Sequence, residues 1–208
     1  MKSSLFKQGI TAIVGIAFAL GAVTISVAAP KKGGILNFVV GSKIPSYDGH
    51  IESTFGMIHP IRPFYSLLFR VNPDNPADPT DFQCDVCEGN IPSGAKGGTE
   101  YTFKIRKGLQ FHDGTPLNAH DVKATFDKIV FPPKGVASNR KAMFKMVKSI
   151  EVSDDHTIVF TLKFPSGAFI PSAGMPFNFI YSKKDLDAHG YEWYMKDGNG
   201  SGAFIFVE

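Results

Sequence analysis

The chain has 208 residues, 43% hydrophobic and 20% charged, a globular composition that excludes collagenous and disordered classes. Its 19 Phe residues supply bulk for a core. The formal charge is only +3, and no basic block exceeds two residues, which argues against a nucleic-acid partner.

Residues 1–28 read as a secretory signal peptide. Lys2 and Lys7 form a basic start. Ile10 to Val27 is apolar apart from Gly, Thr and Ser, and SVAAP offers small residues at Ser26 and Ala28 for a cut after Ala28. A cut after Ala29 would leave Pro30 next to it. A single transmembrane anchor competes with this reading, because about 18 apolar residues can just span a bilayer; the Gly and Thr content and the small-residue exit favour cleavage. No Cys stands at the cut to carry a lipid. The exported chain would be near neutral once Lys2 and Lys7 are lost.

GGILNFVVG predicts a short strand bounded by glycines. SKIPSYDGHIESTFG follows as a polar loop. Pro60 and Pro63 are expected to stop a helix before them, and RPFYSLLFRV fits a short helix or a strand. NPDNPADPTD and SGAKGG are turn or loop segments. Between them lie the two cysteines of the chain, Cys84 and Cys87. In an oxidising compartment they can bridge; the same spacing suits a redox pair or half a zinc site. A four-thiolate site would need two more cysteines, and a thioredoxin-like pair would open a helix after a strand. The context favours a structural disulfide.

Tyr101, Phe103 and Ile105 alternate with Thr102, Lys104 and Arg106, predicting a strand with one apolar face. HDGTP supplies a turn. A helix is expected over 118–130, with Asn118 as cap and Asp121 completing a capping box. Val122, Phe126, Ile129 and Val130 form its apolar face, with Lys123, Asp127 and Lys128 turned outward; Pro132 and Pro133 end it. A hairpin follows, turning at SDDH and returning as TIVFTLKF, with Ile158, Phe160, Leu162 and Phe164 on one face. PSGAFIPSAGMPF reads as irregular, SKKDLDAHGYEWYMKDG as a helix with a loop, and NGSGAFIFVE as another strand. A strand running to Glu208 without a turn is expected to continue beyond it.

No catalytic set assembles. His112 and Asp113 are adjacent on a turn and point apart, so Asp113 is expected to bond its own turn. No serine stands in a GxSxG pattern, the six histidines lack metal-ligand spacing, and Gly-rich DGNGSG enters a strand rather than a helix. Asp154 and Asp155 fit a solvated hairpin turn. The sequence therefore points away from an enzyme.

Four stretches resemble the extracytoplasmic solute-binding proteins of the oligopeptide/dipeptide-binding type, family 5, which serve ABC importers. They are GGILNFVVG, YTFKIRKGLQFHDGTPLNAHDVKATFDKI, VSDDHTIVFTLKFP and NGSGAFIFVE. The second is the most distinctive. Two places depart from the family: CDVCEGN stands where a Leu-Ala-Glu-Ser-Trp-like run is usual, and Ala203 where Pro is common.

The resemblance implies a mixed α/β (α+β) fold of the two-lobed periplasmic-binding-protein kind. Residues 29–61 would open lobe one, 62–180 would form an inserted β-rich domain, and 181–208 would return into lobe one, leaving the second lobe outside the chain. It implies a monomeric periplasmic component that captures peptides or related small solutes and delivers them to the permease subunits of an ABC importer, without a cofactor or metal. Tyr47, Asp48, His50 and Phe55, on the loop after the first strand, are the implied ligand contacts. The fragment alone is expected to bind nothing tightly. A thiol-disulfide or metal-dependent periplasmic enzyme built on Cys84 and Cys87 is the alternative from another class; nickel, haem or a sugar-like solute is the alternative ligand within the family.

Overall fold

A computed structural model describes residues 33–35 and 37–207. The signal peptide expected over 1–28 and the last residue of the chain lie outside them. The chain divides into two units, Met1–Phe38 and Val39–Glu208. In the first, the described residues form no helix or strand. The strand expected in GGILNFVVG is thus not formed over its described residues, none of which pairs in a ladder; an unpaired strand has nothing to satisfy its backbone.

The described residues of the second unit form four α-helices, three 3-10 turns and six strands in two sheets. Helix α1 is Phe55–Ile61, followed by a 3-10 turn at Arg62–Phe64. Strands β1 (Phe69–Val71) and β2 (Phe82–Cys84) pair antiparallel. Strands β3 (Cys87–Glu88), β4 (Glu100–Ile105), β5 (Val147–Asp154) and β6 (Thr157–Leu162) form an antiparallel sheet in the order β3-β4-β6-β5. Helices α2 (Ala119–Val130), α3 (Phe169–Ala173) and α4 (Lys183–His189) complete the set.

The expected alternation on β4 sends Tyr101, Phe103 and Ile105 into the core. Ile158, Phe160 and Leu162 on β6 join them, with Phe160 edge-on to Phe103 at 5.8 Å and to Phe126 of α2 at 5.1 Å. Phe164, expected on the same face, is 53% exposed because β6 ends at Leu162. The hairpin loop is tighter than SDDH: β5 runs to Asp154, and Asp154 pairs with Thr157.

Helix α2 has the expected start. Asn118 Oδ1 accepts the His120 N–H at 2.8 Å, and Asp121 returns the bond by accepting the Asn118 N–H at 2.9 Å. Its outward face differs from expectation. Lys128 is 1% exposed, not turned to solvent, because a carboxylate meets it inside.

Three other expectations are corrected. Helix α1 runs through Pro60 to Ile61. Pro60 sits in its last turn, where one backbone bond is lost, and buried Met57, Ile58 and Ile61 hold the helix in place. Helix α3 lies within the stretch read as irregular, anchored by fully buried Phe169. Residues 201–207 are not a strand. They run beside Pro63–Ser66 with two backbone bonds, Gly202 N–H to the Phe64 carbonyl and Phe204 N–H to that of Pro63; Pro63 has no N–H with which to extend a ladder.

Two buried clusters result. One joins the four-stranded sheet to α2, α3 and β1. The other gathers Met57, Ile58, Ile61, Tyr65 and Leu67 with Phe179, Tyr181, Leu186 and Tyr194, residues from two distant parts of the chain.

Candidate functional site

The loop that leads into α1 carries the four expected ligand residues, and the structure separates them. Asp48 and His50 are 1% and 0% exposed, Tyr47 is half-buried, and Phe55 is 75% exposed at the first position of α1.

Asp48 is the hub. Its Oδ1 accepts the Tyr181 hydroxyl at 2.9 Å and the His50 N–H at 2.9 Å, while Oδ2 accepts from Lys128 Nζ. The Tyr181 hydroxyl also accepts the Gly49 N–H at 2.9 Å. Burial alone would push the Asp48 carboxyl up, but the Lys128 ammonium and the other contacts hold it below its ordinary value. Lys128 is pushed down by burial, against the pull of Asp48. The result is a closed ion pair with its charges matched inside the protein.

His50 stacks on Tyr181, centroids 4.1 Å apart, and its Nε2 lies 2.9 Å from the Phe179 carbonyl. Nε2 is therefore the protonated nitrogen of a neutral ring. Burial, with Lys128 nearby, pushes its pKa down to about 3. Arg140 closes the loop from the other side: Nη1 donates to the Gly49 carbonyl at 2.8 Å and to that of His50 at 3.0 Å, and Nη2 to that of Glu52. Its guanidinium lies 4.2 Å from the Phe177 ring centroid.

Asp48 and His50 thus face inward and fix the loop's backbone. The cavity bordering Asp48 and Lys128 is about 190 Å³, below the usual size of a small-molecule site. Ser53, Thr54 and Phe55 form the outward part of the loop. Tyr47 packs edge-on against Phe206 at 5.0 Å. Sequence reading missed Lys128, Arg140 and Tyr181. No local pattern marked them: their partners Asp48, Gly49, His50 and Glu52 lie on a loop distant in sequence.

The other singled-out residues lie apart. Asp113 Oδ1 accepts from the Thr115 N–H at 3.0 Å and its hydroxyl at 2.6 Å, and Lys184 reaches Oδ2 at 3.0 Å. Burial would raise this carboxyl, but those bonds hold it well below its ordinary value. His112 donates its N–H to the Gly200 carbonyl at 2.8 Å, and its Nε2 lies 3.0 Å from that of Gly202. Cys84 and Cys87 are joined in a disulfide between β2 and β3, with Cys87 fully buried. Arg106 Nε bonds the Cys87 carbonyl at 2.7 Å. Among the described residues no group of three or more His, Cys, Asp or Glu could hold a metal ion, and no helix is long and apolar enough to cross a membrane.

Comparison with known proteins places this arrangement in context. Residues 92–208 match the model of the bacterial extracellular solute-binding proteins, family 5, middle part. The oligopeptide-binding protein AppA of Bacillus subtilis is 34% identical over 117 residues, 54% of this chain and 21% of that protein. The glutathione-binding protein GsiB of Pectobacterium atrosepticum is 36% identical over 95 residues, 46% of this chain and 18% of that protein. The periplasmic binding protein DppA of Helicobacter pylori, solved with the peptide STSA, superposes with a TM-score of 0.68 at 26% identity. That match covers 81% of this chain and 35% of the other. The chain spans about a fifth of the length of these curated relatives.

Proposed function

Because the chain belongs to the bacterial extracellular solute-binding proteins of family 5, we propose that it is part of the substrate-binding component of an ABC importer. Its solute would be a peptide or a related small molecule, and its partners the permease subunits at the membrane. The observation that carries this reading is the fold match to a peptide-bound binding protein across most of this chain. Oligopeptide- and glutathione-binding relatives support the same solute class. His112 and Asp113, weighed as a catalytic pair, are instead taken up in carbonyl and turn bonds.

The two buried clusters support a division of labour. One draws on residues between Met57 and Leu67 and between Phe179 and Tyr194 and would be the lobe that faces the solute; the sheet cluster, from Leu68 to Ile180, would be the inserted domain expected over 62–180. Tyr47 and Phe55 would meet the solute directly. Asp48 and His50 would act through the loop they hold. A peptide bound in extended form through its main chain needs shape and backbone groups more than reactive side chains. Closing on it takes a hinge and a facing lobe. The amino-terminal residues 1–28 would direct export to the periplasm.

The test starts with the reading frame past the codon for Glu208, and then titrates the purified full product with tri- and tetrapeptides by calorimetry. Saturable one-to-one binding, weakened by Phe55→Ala, is the expected result. A product with a complete second lobe that gives no heat with any peptide would remove the peptide reading. Metal, haem or sugar titrations would then discriminate among the family's other solutes.

A further inference from the structure

Away from the Asp48 loop, a cavity of about 400 Å³ is lined by Arg62, Tyr65, Ser66, Arg70, Asp85 and Ser201, among others. Its two guanidiniums come from separate elements: Arg62 opens the 3-10 turn, and Arg70 is the middle residue of β1. Neither belongs to an ion pair among the described residues. Asp85, the one carboxylate of the lining, accepts the Leu67 N–H at 2.9 Å through Oδ2. The Ser66 hydroxyl donates to the Ser201 carbonyl at 3.0 Å and ties the 201–203 segment to this wall.

Three lining side chains carry a buried polar atom without a partner among the described residues: Arg70 Nε, the Tyr65 hydroxyl and Ser201 Oγ. Buried donors without acceptors are costly, and two neighbouring guanidiniums repel each other. Burial pushes Arg62 below its ordinary pKa; Asp85 opposes this and Arg70 reinforces it. A neutral ligand could fill the hydrogen bonds but not the charge, and a cation would worsen both. An oxyanion relieves both at once, because the guanidinium fork matches carboxylate and phosphate geometry.

We propose that this cavity binds an oxyanion, a carboxylate or phosphate group borne by a small molecule, with Arg62 and Arg70 as its charged clamps and Ser201 as a neutral donor. The site needs no peptide, so its test stands apart from that of the solute reading.

The purified full chain is titrated with inorganic phosphate and separately with acetate, each against chloride at equal ionic strength, by calorimetry and thermal melting. One of the two anions is expected to bind saturably and raise the Tm above the chloride control. A phosphate response alone assigns a tetrahedral group, and an acetate response alone a planar one. Arg70→Gln should weaken binding about tenfold or more, the loss of one charge-assisted bond. Ser201→Ala should weaken it by a smaller factor. Should Arg70→Gln fail to fold, Arg62→Gln takes its place. Equal responses to phosphate, acetate and chloride would overturn the proposal, as would an anion response that Arg70→Gln or Arg62→Gln leaves unchanged.

Discussion

Removing Lys128 would leave the Asp48 carboxylate buried with only the Tyr181 hydroxyl and the His50 N–H to hold it. Lys128→Ala is expected to cost about 3–5 kcal/mol, the scale of breaking a buried pair on one side. A shift in the urea midpoint would show it. The double variant Asp48→Asn, Lys128→Met should recover most of the loss, since no charge is then stranded. If the double variant is no more stable than the single one, the pair is not the source of the cost. His50 gives a pH signature. Its pKa is depressed to about 3 in the fold, against about 6.5 unfolded. The unfolded chain therefore binds the extra proton between those values, and stability falls as the pH drops from about 6.5 toward 3. The slope from this group is at most about 1.4 kcal/mol per pH unit. Asp48, also depressed, adds a loss in the same direction once the pH falls below about 3.9. Urea titrations at several pH values should show a shallower slope in His50→Asn than in the parent; identical slopes would mean that His50 takes up its proton without unfolding.

At the scale of elements, two devices fix local structure. The reciprocal bonds of Asn118 and Asp121 start α2, and Asn118→Ala should cost about 1 kcal/mol in unfolding free energy. The Cys84–Cys87 disulfide closes a very short loop between β2 and β3, so replacing both cysteines with serine should cost about 2 kcal/mol on chain-entropy grounds while leaving solute affinity intact. Loss of affinity well beyond that of a destabilised fold would instead favour a functional role for the thiols. These elements also show what the sequence made visible. Period-two alternation exposed β4 and β6, and the cap with its apolar 3.6-residue stripe exposed α2, because each signal is local. Lys128 was misassigned because its helical phase says only that it lies beside the core. Whether that flank meets water or Asp48 depends on a loop 80 residues away. The same holds for Tyr181, bonded to the Asp48 carboxylate and the Gly49 N–H, and for Arg140, bonded to backbone carbonyls of that loop. The missing strand at 201–207 failed for a comparable reason: alternation was present, but its neighbour begins with a proline.

At the scale of the whole second unit, Gly198, Gly200 and Gly202 let the late segment lie against Pro63, Phe64 and Tyr65. A Cβ on Gly200 would meet the Phe64 carbonyl oxygen at 1.8 Å, and one on Gly202 the Pro63 oxygen at 2.4 Å. Contacts that short with backbone atoms cannot be relieved by turning a side chain. Gly200→Ala should therefore lift the segment, raise amide exchange at Gly202 and Phe204, and loosen the hold of Gly200 on His112. Unchanged exchange at those amides would mean that the segment has room the close contacts do not suggest.

Helix α2 belongs to both interiors. Phe126 and Ile129 fill the sheet cluster, Ala124 packs on the other, Thr125 Oγ1 accepts the Tyr181 N–H at 2.8 Å, and Lys128 reaches Asp48. Neither interior can melt without taking support from the helix that the other needs. Heat should accordingly unfold residues 39–207 in one calorimetric transition, with the van't Hoff and calorimetric enthalpies in agreement, although their hydrophobic residues sort into two groups.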